Sequence, residues 1–187
     1  MSGRQREIIE WTAQLVQSLG LPRAAINETG LRKMHAERDY TGMVRAIRTH
    51  LKLDVRMRIG FVKSGGPEEV PAWIEIPNEM PMYGTRAFRE LMLTLYIRRS
   101  VLDETPPGAM ICIISHELSH IVLDAIKHPL RRQEEVVDLT AMLLGYREVF
   151  VRDAMYALPG ECCSVSFGYL SPEEREYAAW IMSQWPK

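Results

Sequence analysis

The chain has 187 residues, with 23 Lys and Arg against 24 Asp and Glu and a formal net charge of −1. This length suits one domain with its own hydrophobic core, and the balanced charge gives no overall field that attracts nucleic acid or an anionic membrane. The three cysteines, Cys112 and the adjacent Cys162 and Cys163, are an odd number without zinc-knuckle spacing. We therefore expect no disulfide framework, no signal peptide, and a cytoplasmic protein that binds neither nucleic acid nor membrane.

The N-terminal region, residues 1–53, has the apolar spacing of helices. Apolar residues recur at helical intervals from residue 3 to residue 19, and Gly20 is a typical residue at which a helix ends. A second stretch of the same kind runs from 41 to 51. We predict two amphipathic helices here.

Residues 54–100 have the pattern of a sheet. Apolar residues predict strands at 55–62, 72–76 and 91–98, and the last of these alternates strictly. A strong turn signal, Ser64-Gly65-Gly66-Pro67, separates the first two strands, and this pair could form a hairpin.

Residues 105–145 are predicted to form two helices, and the tail, 146–187, is predicted to form a third. Thr105-Pro106-Pro107-Gly108 is typical of a helix start and precedes an apolar stretch from 109 to 125. The next helix is expected from 131 to 144, ended by Gly145. In the tail, Ser171 followed three residues later by Glu174 predicts a capped helix over 172–182. We predict a single α+β domain over residues 1–187.

The strongest chemical pattern is His116-Glu117-Leu118-Ser119-His120. His116 and His120 are about one helical turn apart, so their imidazoles can bind one metal ion from the same side. Zinc accepts imidazole and, at catalytic sites, leaves one position for water, whose proton Glu117 is placed to accept. The surrounding helix is largely apolar, where histidines and a glutamate without partners are costly. We interpret His116 and His120 as Zn²⁺ ligands and Glu117 as the general base.

Two histidines need a third protein ligand, and the following helix offers acids. Glu134 and Asp138 are four residues apart and share one face, which Ala141 and Gly145 extend with side chains small enough for close approach to the first helix. We favour Glu134 as the third ligand and Asp138 as the acceptor of a hydrogen bond from the far nitrogen of a ligand histidine. The alternatives that stay open as the third ligand are Glu135, Asp138 itself and His128.

The segment from Ile113 to Leu123, with Glu134-x-x-x-Asp138 and Ala141, resembles the zincin metallopeptidases of the glutamate-ligand type. Within them it is most similar to the small intracellular peptidases of the ImmA/IrrE kind. The resemblance covers about residues 91–145. Two positions depart from that family's second motif: Val137 replaces an alanine, and Thr140 stands where an aromatic is common.

The resemblance implies a minimal zincin-like domain, in which a small, mostly antiparallel sheet packs against an active-site helix and a second, ligand-bearing helix. It also implies that a strand edge beside the active helix binds an extended peptide. Either 91–98 or 72–76 could supply that edge. The oxyanion-stabilising donor that peptide hydrolysis requires has four candidates without a positional preference: Tyr83, Tyr146, Tyr156 and Tyr169.

The leading hypothesis is a zinc-dependent metallopeptidase, an endopeptidase that hydrolyses a peptide or protein substrate. The alternatives are a non-proteolytic regulatory or binding module that keeps the zinc site and holds a partner segment in the groove, and a structural protein whose motif is coincidental. The sequence leaves open the substrate, the oligomeric state and the role of the N-terminal helices.

Overall fold

The computed structural model describes residues 2–67, 70–157 and 164–185. Its α-helices are α1 (Gly3–Leu19), α2 (Glu28–Ala36), α3 (Tyr40–His50), α4 (Arg86–Glu90), α5 (Arg99–Glu104), α6 (Pro107–Ala125), α7 (Glu134–Ala141), α8 (Arg147–Asp153) and α9 (Pro172–Ser183). Its strands are β1 (Arg56–Val62), β2 (Ala72–Ile74), β3 (Met92–Arg98), β4 (Met155–Ala157) and β5 (Ser164–Ser166). The predicted α+β class is confirmed; Cys162 and Cys163 lie outside the described residues.

The main sheet has three strands in the order β1-β3-β2. β3 pairs in parallel with β1 over seven residue pairs and antiparallel with β2 over three, so the sheet is mixed and the expected mostly antiparallel sheet is wrong. The expected hairpin between β1 and β2 is also wrong, because β3 lies between them. The inward face of β3 explains its central position: Leu93, Leu95 and Ile97 are each buried to 98% or more. A second ladder, β4 with β5, is antiparallel.

Helix α6 runs through the core and begins at a proline in its first turn. It is long and apolar enough to cross a membrane by length and composition alone, but 83% of its most apolar 18 residues are buried inside the protein. A helix that is apolar on all sides and enclosed by other elements is typical of a core helix. The site residues on α6 are therefore held by a well-packed support.

The single helix expected over 131–144 is observed as a shorter helix that starts later and is followed by a π-helical turn and another helix. α7 starts at Glu134, passes into a π-helical turn at Met142–Tyr146, and continues as α8. Gly145 has φ of 112°, and a Cβ there would lie 2.6 Å from the carbonyl oxygen of Ala24. Its small size therefore permits packing against the N-terminal segment, and the expectation that Gly145 lets this helix approach α6 is wrong. The break turns the chain so that α8 packs back against α6.

Helix α1 packs against both α7 and α9, and α9 also packs against α8. Both begin with a capping box, Ser2 with Gln5 and Ser171 with Glu174. The predictions of α1, α3 and α9 are confirmed to within one residue at each end. The short helices α2, α4 and α5 were not predicted.

Candidate metal centre

Helix α6 presents two histidines on one face. The ring centroids of His116 and His120 are 5.0 Å apart, and their side chains keep 11% and 18% of their surface exposed. The four-residue interval brings the rings to successive turns of the same helix. Two imidazoles are therefore fixed at the surface of a core helix and face the same opening.

The first residue of α7 completes the cluster. Glu134 places Oε2 at 3.2 Å from Nε2 of His116 and at 3.2 Å from Nε2 of His120. Ligand atoms about 2.0–2.2 Å from a tetrahedral Zn²⁺ lie roughly 3.3–3.6 Å from one another. In the part of the chain that the structure describes, these three residues form the group of His, Cys, Asp and Glu side chains that can hold a metal ion, with the ligand atoms within 4.8 Å of one another. Their spacing fits a single small cation.

Asp138 lies one turn further along α7 and is fully buried. Nδ1 of His116 donates to Oδ1 of Asp138 at 2.8 Å. Because a carboxylate accepts this bond, Nδ1 carries the hydrogen and Nε2 is left to face Glu134. The other Asp138 oxygen accepts from the backbone N–H groups of Tyr169, at 2.6 Å, and Leu170, at 3.1 Å. Asp138 thus fixes the orientation of His116 and is itself fixed by a loop.

That loop approaches Asp138 closely because it contains a glycine. Gly168 has φ of 88°, and a Cβ there would lie 2.7 Å from Asp138 Oδ2. A side chain at this position would meet the carboxylate in a conformation that L-residues rarely adopt. The loop after β5 therefore depends on Gly168 to bring its backbone N–H groups to Asp138.

The other three residues considered as a third ligand, Glu135, Asp138 and His128, do not complete the cluster. Glu135 points away from the histidines and accepts from Arg4 of α1 at 3.1 Å. His128 is buried, and its Nδ1 accepts from the backbone N–H of Leu130 at 3.2 Å. Asp138 contacts Nδ1 of His116, whereas Nε2 of that ring faces Glu134, so Asp138 lies on the other side of the imidazole from the cluster. Among the four residues proposed for this role, Glu134 is the one that the structure brings to both histidines.

The cluster attracts positive charge strongly. Burial disfavours the charged imidazole of His116, but the carboxylates of Asp138 and Glu134 outweigh this effect and raise its pKa to about 10. Burial also opposes ionisation of Glu134, yet its contacts with the two histidines lower its pKa to about 2. A proton or a metal cation between these groups is therefore strongly favoured, and the two compete for the same nitrogen.

Glu117 lies between the histidines in sequence and faces a groove. Burial raises the pKa of its carboxyl, against the opposing effect of His116, His120 and the backbone of Ile74 in β2. The groove is bounded by α6 on one side and β2 on the other, and Ala72, Ile74, Glu117 and both histidines line it. A carboxyl whose pKa is raised toward neutrality is suited to accept and return a proton.

Within the described residues, β2 is an edge strand of the main sheet. The backbone N–H of Arg98 in β3 donates to the carbonyl oxygen of Pro71, so the peptide groups of Pro71 and Trp73 face β3. Because backbone groups alternate along a strand, those of Ala72 and Ile74 face the groove. Of the two segments expected to supply a strand edge, 72–76 lies at the edge, and 91–98 is central with a neighbour on each side.

Tyr169 is the site residue that the sequence did not single out from four tyrosines. Its ring stacks on the imidazole of His116, with centroids 5.6 Å apart and planes at 23°. It also lines the groove, whereas Tyr83, Tyr146 and Tyr156 do not. In the sequence, Gly168 and Tyr169 stand next to each other shortly before the capped helix α9. This pair by itself does not indicate a metal site.

No protein-family model, curated protein or solved structure matches the chain. The function of the protein has therefore to be inferred from the residues of this chain and from their geometry.

Proposed function

We propose that the protein is a zinc-dependent metallopeptidase that hydrolyses peptide bonds in an extended segment held along β2. One observation carries the proposal: two histidines and a glutamate from two helices converge on one point, and Glu117 lies beside them in a groove bounded by an edge strand. Activation of water by a metal, a proton acceptor and a backbone template are three requirements of such a reaction, and the groove has residues suited to each.

The donor set favours zinc. Two imidazole nitrogens and one carboxylate oxygen are a typical protein ligand set for catalytic zinc, which in such sites keeps a further position for water. The 3.2 Å separations between Glu134 Oε2 and the histidine nitrogens suit the short bonds that zinc makes. The hydrogen bond from His116 to Asp138 adds the support that ligand histidines commonly have.

Each residue then has a defined task. Zn²⁺ bound here supplies a Lewis acid that makes water nucleophilic near neutral pH. Glu117 accepts the proton of the attacking water and returns it to the leaving amine. The outward peptide groups of Ala72 and Ile74 hold the substrate backbone in register by strand addition. Burial raises the pKa of Tyr169, so its hydroxyl stays protonated and is the donor that we assign to the developing oxyanion.

The arrangement also supports the zincin-like interpretation of the fold. An edge strand lies along the helix that carries both histidines, and a second helix supplies the glutamate. The small intracellular peptidases of the ImmA/IrrE kind, which residues 91–145 resemble, are the group in which we place this proposal. The mixed character of the main sheet is the feature that departs from the expectation.

The test combines metal analysis with two substitutions. Protein purified without added metal should contain close to one equivalent of zinc, and a chelator should abolish cleavage of a diverse peptide library. Glu117→Gln should retain zinc and lose cleavage by at least about 100-fold, since general-base removal typically costs 10²–10⁴. Tyr169→Phe should lower kcat more than it raises KM.

The outcomes separate the three functional hypotheses. Zinc content well below one equivalent, with no rebinding, would indicate that the motif is structural. Bound zinc and no cleavage of any peptide by the unaltered protein would favour a binding module. Undiminished cleavage by Glu117→Gln would rule out the assigned proton acceptor.

A further inference from the structure

The groove differs in chemical character between its two ends. At the end formed by the start of β2 and the first half of α6, a cavity of about 280 Å³ opens beside His116. The residues that make it largely apolar are Val70, Ala72, Cys112, Ile113, Phe150 and Phe167. A cavity of this size and lining suits one aliphatic or aromatic side chain, whose burial is favourable.

The opposite end carries a positive charge. Arg132 lines the groove together with His120, Glu134 and Ile76, and its side chain remains 67% exposed. Among the described residues, the carboxylate within 4 Å of Arg132 is that of Asp124, at 3.6 Å. Asp124 also pairs with Arg131, at the shorter distance of 3.2 Å. One carboxylate is thus shared by two guanidinium groups and lies closer to Arg131, so Arg132 has no ion pair of its own among the described residues.

The two walls of the groove run in the same direction. Pro71 lies with Cys112 at the apolar end, and Ile76 lies with His120 at the end of Arg132. A segment that pairs antiparallel with β2, the slightly more stable arrangement per residue, runs the opposite way. Its N-terminal residues then lie beside Arg132 and its C-terminal residues enter the apolar cavity. Glu117 lines both parts of the groove and so lies between them.

On the basis of the proposed peptidase function, we propose that the groove selects an extended segment in which an acidic side chain precedes an apolar one. The acid pairs with Arg132, the apolar side chain fills the cavity beside His116, and the hydrolysed bond lies between them. Arg132 is then a specificity-determining residue for substrates of this class. Charge complementarity at an open site contributes selectivity and association rate more than total affinity.

The test measures binding separately from cleavage. Labelled peptides of one scaffold are titrated into zinc-loaded Glu117→Gln by fluorescence anisotropy: acid before apolar, apolar before acid, lysine in place of the acid, and serine in place of the apolar residue. Each is made with several spacings between the two positions. At its best spacing, the acid-before-apolar peptide should bind about tenfold more tightly than the lysine peptide, as expected for one complementary charge and one repulsive charge.

A charge reversal identifies the residue responsible. Adding Arg132→Glu should reverse the preference between acid and lysine, while adding Arg86→Glu, a surface arginine on α4 paired with Glu90, should leave it unchanged. The proposal is overturned if no peptide binds, if the reversed order binds as tightly, or if Arg132→Glu leaves the acid preference in place. Preserved selectivity without cleavage by the unaltered protein contradicts only the proposed hydrolysis, and cleavage without selectivity contradicts only this inference.

Discussion

Two clusters of charged side chains meet at adjacent residues of α7. The histidine cluster consists of His116, His120 and Glu134. The arginine cluster joins three helices through ion pairs of one arginine, and its members are Arg4, Glu7, Glu135 and Glu174. Adjacent residues on a helix point about 100° apart, so Glu134 and Glu135 enter different surroundings.

The difference between the clusters lies in the source of positive charge. In the arginine cluster a permanently charged guanidinium lies among the acids, and its side chain is 35% exposed. The histidine cluster is more enclosed, and its ligand atoms converge on one point that no arginine or lysine among the described residues occupies. A cluster with its own cation is suited to joining helices, whereas one whose ligand atoms converge without a lysine or arginine between them is suited to binding a metal cation.

The largest expected effect compares the two adjacent acids. Glu134→Gln should weaken zinc binding by more than the roughly 10–100-fold that loss of a supporting residue costs, because it removes a direct ligand charge. Glu135→Gln has the same change in charge and size and should leave zinc affinity nearly unaltered. Competition with a zinc-chelating dye measures both. Equal losses in the two variants would mean that the clusters do not have separate roles.

The next effect concerns the support behind the ligands. Asp138→Asn keeps the size of the side chain but removes the charge that orients His116, so zinc affinity should fall about 10–100-fold. Asp124→Asn is the matched control, since Asp124 is also a buried acid but pairs with Arg131 and Arg132. Circular dichroism checks that both variants fold. If zinc affinity falls equally in both, the hydrogen bond between His116 and Asp138 has no special role.

Local signals predicted much of the helical framework. The capping box at Ser171 and Glu174 predicted the start of α9, and Gly20 predicted the end of α1. Pro107 likewise indicated the first turn of α6. These signals work because each satisfies or replaces backbone groups within a few residues along the chain. The four-residue intervals in α6 and α7 likewise allowed the candidate ligands to be predicted, since a helix determines which residues share a face.

What could not be predicted depends on contacts between distant segments. The turn after β1 allowed a hairpin, but the more apolar β3 takes the central position. Helices α4 and α5 bury one residue and none, respectively, and so lack a periodic apolar face. The interval from Glu134 to Asp138 favoured Glu134 but left Glu135 open, and the contact of Glu135 with Arg4 of α1 separates the two acids in the structure. Tyr169 reaches His116 through the contact of its loop with Asp138.

The smallest expected effect tests the arginine cluster itself. Arg4→Gln removes three ion pairs and the contact of the guanidinium with the Trp11 ring, 5.0 Å from its centroid. These groups are partly exposed, so the free energy of unfolding should fall by only about 1–2 kcal/mol.

Urea unfolding at low salt and at about 1 M NaCl checks the origin of this loss, because salt screens exposed pairs and should shrink the difference. Arg86→Gln, which removes a single pair with Glu90 on α4, should have a smaller effect. Zinc affinity should stay unchanged in both variants. A parallel loss of zinc affinity in Arg4→Gln would show that the arginine cluster positions Glu134, since α1 and α7 would then act on the metal centre as one unit.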